Sequence, residues 1–170
     1  MPEASPFPIS LDVFHRERSR CVDAFATVEL VVNYLLAISG TKCGGEPLGQ
    51  RIVNLREAKP SSGYSKARKK TVDEALKLLD AWLPLRADLV HGRLQLAELD
   101  GEVHACFANA RQAALPGKQL RMFELADLRM ATQRVTAIAT KLQSEPKAAE
   151  PPINPASSPP PPSRAAADGP

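Results

Sequence analysis

Eight consecutive residues, Leu85-Arg86-Ala87-Asp88-Leu89-Val90-His91-Gly92, place an arginine, a carboxylate and a histidine within six positions. Those are the groups that phosphodiester cleavage without a metal requires. An imidazole can both take and give a proton near neutral pH, and a guanidinium can hold two phosphate oxygens in one plane. Asp88, three residues before His91, is near enough on a helix either to orient the imidazole or to pair with Arg86. A purely structural account also exists: histidine suits the last helical turn through the macrodipole, and glycine suits the left-handed position that ends a helix.

The elements that must position these groups are mostly helical. Ser10 can cap a helix in which Phe14, Cys21, Phe25, Val28, Val32 and Leu35 recur at helical spacing up to Gly40. Glu29 stands at the edge of that apolar stripe, where an acid is costly unless paired; it can face a groove or reach out to solvent. Leu48, Ile52 and Leu55 predict a short second helix. A third runs from about Ser65, with Val72, Leu76, Leu79, Leu83 and Val90 on its apolar side, and ends at His91-Gly92. Pro84 predicts a kink or a restart within it, with the proline in the first turn of the segment that carries Arg86.

Beyond Gly92 the period changes from helical to alternating. Leu94 and Leu96 lead to Asp100-Gly101, and Val103, Ala105 and Phe107 follow, which predicts a hairpin on a type I′ turn. Pairing Leu99 with Glu102 sets Leu96 opposite Ala105 and Leu94 opposite Phe107, so one face is apolar and must cover the helices. Gln119 to Phe123 can add a third strand. Leu128, Ala131, Val135, Ile138 and Leu142 mark a last helix.

Composition bounds the class. With 170 residues, 44% hydrophobic and 24% charged, one globular domain is expected. Nine of the sixteen prolines fall in 145–170, where large apolar side chains are almost absent, so that segment is expected to be an extended tail. The expected organisation is a disordered 1–9, a folded 10–143 and a disordered 144–170. Net charge is +3, and Arg56, Lys59, Lys66, Arg68, Lys69 and Lys70 cluster against the single acid Glu57. This run is either a solvated face or a surface that tracks phosphates, with Lys66, Arg68, Lys69 and Lys70 as the candidate RNA contacts.

Cys21, Cys43 and Cys106 are isolated, so neither a disulfide framework nor a zinc site is indicated, and no His, Asp and Glu spacing suggests a metal. No glycine-rich phosphate loop is present. The start, Met1-Pro2-Glu3-Ala4, has neither a basic nor an apolar run, so a cytoplasmic protein is expected. The apolar stretch from Val28 to Ile38, broken by Glu29 and Asn33, is expected to be too short and too polar to span a bilayer. His15 and His104 are expected at the surface.

The stretch Arg86-Ala87-Asp88-Leu89-Val90-His91, with the surrounding Leu-Val-His-Gly at the end of a long amphipathic helix, resembles the HEPN superfamily over roughly residues 10–143. The resemblance implies a mainly α fold, a four-helix up-and-down bundle with a small β-hairpin after the third helix. It also implies a homodimer whose motif helices face each other across a shared groove. It further implies RNA binding and metal-independent endoribonuclease chemistry of toxin–antitoxin or defence type, which leaves a 2′,3′-cyclic phosphate and needs no cofactor. His91 would be the general acid and base, Arg86 would neutralise charge on the transition state, and Glu29 would face the groove. A neighbouring antitoxin is a further implied partner. Cleaving members usually carry a polar residue directly after the arginine, where this chain has Ala87 and then Asp88. A non-catalytic dimeric module that recruits partners through the bundle or the proline-rich tail is therefore the alternative.

Overall fold

The computed structural model describes residues 10–42, 44–109 and 121–144. Among these, five helices and three strands follow in the order α1 (Leu11–Ser39), α2 (Leu48–Glu57), α3 (Lys66–Asp80), α4 (Leu83–His91), β1 (Gly92–Leu99), β2 (Glu102–Asn109), β3 (Arg121–Phe123) and α5 (Leu125–Gln143). The fold is thus mainly helical, with a small antiparallel sheet after the fourth helix, not the third. What the sequence suggests for 1–9, Cys43 and 145–170 lies outside the described residues.

The extra helix has a local cause. The expected third helix divides at Ala81–Trp82, and Pro84 occupies the first turn of the new helix, where its missing N–H costs nothing. The break also resets the helical phase. Val72, Leu76 and Leu79 are buried as their spacing predicts, whereas Val90, assigned to the same stripe, is exposed; α4 buries Leu85, Asp88 and Leu89 instead.

α1 is the spine. The six apolar positions expected of it are all buried, and it packs along α5, with α2 and α4 against its other sides. α5 buries Leu128, Ala131, Val135, Ile138 and Leu142 and also packs on α3. With 29 residues, α1 is long and apolar enough to cross a membrane by length and composition alone, contrary to the expectation from its central stretch. In this fold one face of α1 forms the core against α5, α2 and α4, whereas Leu30 and Tyr34 on another face are exposed.

The sheet order is β1-β2-β3. The hairpin register is the one expected, with Leu99 opposite Glu102, Leu96 opposite Ala105 and Leu94 opposite Phe107. Asp100 and Gly101 both have positive φ, 54° and 82°, as a type I′ turn requires. Leu94, Val103, Ala105 and Phe107 are buried against the helices. The third strand is described over Arg121–Phe123 and pairs Ala105 with Phe123; the expected positions Gln119 and Leu120 lie outside the described residues.

Candidate functional site

α4 carries Arg86 in its middle and His91 at its end. Five residues along an α-helix turn through about 140° and rise about 7.5 Å, so the two side chains leave the helix in different directions. Arg86 points back to α1, where its Nε lies 2.9 Å from Glu29 Oε1 and its Nη2 contacts the same oxygen. Glu29 is therefore paired, which meets the cost of an acid beside the apolar stripe. Its other oxygen accepts from Arg51 Nη2 at 3.0 Å, and Arg51 Nη1 donates to Asn33 Oδ1 at 2.7 Å. One carboxylate thus holds two guanidinium groups from two different helices, and the cluster of the three carries a net positive charge.

Arg51 was not singled out from the sequence. Its only signal is its position flanking the Leu48, Ile52 and Leu55 stripe of α2, which turns it toward α1.

His91 is exposed, and its side chain has no hydrogen bond or ion pair among the described residues. The backbone beneath it is fixed from α1: Arg18 donates through Nε to the Leu89 carbonyl at 2.7 Å and through Nη2 to the Gly92 carbonyl at 3.1 Å. These bonds satisfy carbonyls at the end of α4 and tie its last turn to the spine. Gly92 is not the left-handed terminator expected, since it has φ −86° and ψ 141°, which is extended backbone. Glycine is needed there for space. A Cβ at Gly92 would lie 2.4 Å from the Asp88 carbonyl oxygen and 3.1 Å from Phe107 Cβ.

Asp88 joins neither Arg86 nor His91, contrary to both roles considered for it. Its position on α4 turns it inward, where it is 2% exposed. Among the described residues the nearest cation is Arg121 Nη1 on β3, 3.5 Å from Asp88 Oδ2, and neither carboxylate oxygen has a hydrogen bond. Asp88 therefore links α4 to the sheet beneath the chemistry-bearing edge.

The basic run divides in the same way. Arg68, expected on a phosphate-tracking surface, is 3% exposed. It donates to the carbonyls of Leu142, Gln143 and Ser144 at 3.3, 3.2 and 2.8 Å and so closes the C-terminus of α5. That role is structural: a planar, always-charged fork suits the free carbonyls and the negative dipole end of a helix. Lys69 is half-buried, donates to the Arg56 carbonyl at 2.6 Å and pairs with Asp73. Lys66 and Lys70 are exposed, and with Lys69 and Lys77 they border a shallow groove on α3 that also includes Asp73 and Glu74.

His15 is exposed as expected, whereas His104 is partly covered. Among the described residues, Glu102, His104 and Glu124 bring three potential ligand atoms within 4.8 Å of one another, although no sequence spacing suggested a metal. No protein-family model, curated protein or solved structure matches this chain.

Proposed function

We propose that the chain is an RNA-binding domain of the HEPN-like helical-bundle kind, and that the α4 edge carrying Arg86 and His91 is its site. The observation that supports this most is the division of labour on α4. Arg86 is held by Glu29 beside Arg51 in a cationic cluster, whereas His91 is exposed on a turn that Arg18 fixes in place. A pre-positioned guanidinium and an exposed imidazole on one short rigid helix suit phosphodiester chemistry. In that chemistry the 2′-oxygen attacks phosphorus, the bond to the 5′-oxygen breaks, and a 2′,3′-cyclic phosphate remains. His91 takes the 2′-hydroxyl proton or protonates the leaving oxygen, and Arg86 neutralises the charge that builds on the non-bridging oxygens.

Because Arg86 and His91 diverge on one helix, both proton transfers at one phosphate are better served by two copies of α4. An exposed stripe on α1, formed by Ala26, Leu30, Tyr34 and Ala37, with Leu30 70% exposed, supports a homodimer. The same stripe, together with Ala87 in place of a polar residue, favours the second reading, a dimeric interaction module that recruits partners without cleaving RNA.

The test is incubation of wild type and His91→Ala with a labelled structured RNA in EDTA. Fragments ending in 2′,3′-cyclic phosphate from wild type alone are expected of the ribonuclease. RNA binding without cleavage by either protein would leave the non-catalytic form of this reading, and neither binding nor cleavage would overturn it in favour of the interaction module.

A further inference from the structure

A second cluster of chemistry-bearing groups lies on the sheet, away from Arg86 and Glu29. The pairing of β2 with β3 puts Ala105 opposite Phe123, so one step further along the same antiparallel register His104 comes opposite Glu124. Glu102 precedes His104 by two residues on β2, and alternate residues of a strand share a face. The three side chains therefore converge for a topological reason, and their ligand atoms all lie within 4.8 Å of one another. The neighbouring β2 residues Val103 and Ala105 point the other way, into the core.

The state of the imidazole is set by its surroundings. His104 Nδ1 lies 3.0 Å from the Glu102 backbone carbonyl. A carbonyl only accepts, so Nδ1 is the protonated nitrogen and the lone pair of the neutral ring is on Nε2. Nε2 is the atom turned toward Glu124, 3.9 Å from its Oε1. A backbone carbonyl that fixes the far nitrogen is the arrangement that orients metal-bound histidines. Glu124 also caps α5 by accepting from the backbone N–H of Asp127, but a carboxylate has enough lone pairs to cap and to ligate.

From this juxtaposition we propose that Glu102, His104 and Glu124 form a binding site for a divalent transition-metal ion of the zinc type. An imidazole nitrogen with two carboxylates is a borderline ligand set that suits Zn²⁺ and is poor for Mg²⁺, which prefers oxygen alone. Metal–ligand bonds of about 2.0–2.2 Å in a tetrahedron separate adjacent ligand atoms by about 3.4 Å. The 3.9 Å between Nε2 and Oε1 is therefore closed to fit by a small rotation of the exposed Glu124 side chain. Water completes the coordination. A bound ion ties β2, near the hairpin turn, to the start of α5.

The proposal stands apart from any ribonuclease activity, so its test reads metal binding directly. Chelator-stripped full-length protein is titrated with Zn²⁺ against a chromophoric zinc indicator, with thiols blocked so that the cysteines do not compete. The expected result is one site per chain, weakened at least about tenfold in His104→Asn and in Glu102→Gln, and unaffected by excess Mg²⁺. Glu124→Gln keeps a cap acceptor and is expected to lose affinity without loss of fold. Zn²⁺ is further expected to shift the Nε2 resonance of His104 while Nδ1 stays protonated. Equal Zn²⁺ affinity in wild type and His104→Asn, or no change at His104 Nε2 on saturation, would overturn the site.

Discussion

Substituting Glu29 by glutamine perturbs the centre of the α1–α2–α4 cluster with little change of shape. In the native protein the Glu29, Arg51 and Arg86 side chains are only 23%, 14% and 26% exposed. Neither guanidinium is fully solvated, and each depends on the same carboxylate. A hydrogen bond to a charged group is worth about 1.5–3 kcal/mol, and removing one partner of a buried pair costs about 3–5 kcal/mol. The residual exposure of this cluster lowers the second figure. The expected loss is about 2–3 kcal/mol, because the amide cannot neutralise two cations and its NH2 group must face a guanidinium donor. With a urea slope of about 2 kcal/mol/M for a domain of this size, the midpoint falls by about 1 M. Urea titration of wild type, Glu29→Gln, Arg51→Gln and the double variant checks this. The two single changes should be strongly non-additive, since each disrupts the same pair. A second readout follows from the charge. Inorganic phosphate should stabilise Glu29→Gln more than wild type, because an anion can enter between the two guanidinium groups. A loss below about 0.5 kcal/mol, with additive single effects, would refute the view that this carboxylate holds the cluster together.

Arg68→Met should destabilise the protein by about 2–3 kcal/mol through the loss of charge-assisted bonds to the end of α5, with RNA affinity unchanged once folding is accounted for, as urea titration and binding isotherms would show. Gly92→Ala should cost about 2 kcal/mol or more, because the new methyl collides with the Asp88 carbonyl, and its thermal midpoint would report this. Tyr64 supplies a pH test. Burial, aided by the Asp73 charge and opposed by Arg68, pushes its hydroxyl up to about 12. An unfolded tyrosine loses its proton near pH 10, so between pH 10 and about 12 the folded state binds more protons. Stability should therefore fall by about 2–3 kcal/mol as pH rises through that window, and Tyr64→Phe should reduce the fall.

Much of the fold was legible because it follows from local rules. The Asp100-Gly101 turn and the alternation on either side of it fixed the hairpin register, and helical spacing identified the buried faces of α1, α2 and α5. Where the apolar pattern misleads, the cause is that a periodic stripe carries no information once the helix is interrupted. Val90 continues the stripe of α3 only if the helix is unbroken, and the phase is lost at Ala81–Trp82. Charge was read less well than apolar pattern, since a basic run does not reveal what each side chain reaches. Arg68 is in the sequence one of several lysines and arginines, and its bonds to the α5 C-terminus come from an element more than 70 residues away. Arg51 and the Glu102, His104 and Glu124 cluster depend on contacts between elements distant in sequence. Glu124 falls opposite His104 only in the observed register of β3 on β2, which the short third strand does not specify by itself.

The most direct test of the proposed α4 site is the long-range ¹H–¹⁵N spectrum of the imidazole groups, recorded in EDTA while single-stranded RNA is titrated into the protein. If RNA engages this edge, the His91 resonances shift saturably, less so in Arg86→Gln, with His104 unmoved as the internal control. A His91 signal unchanged at RNA concentrations that saturate binding, or no binding at all, would contradict the α4 site.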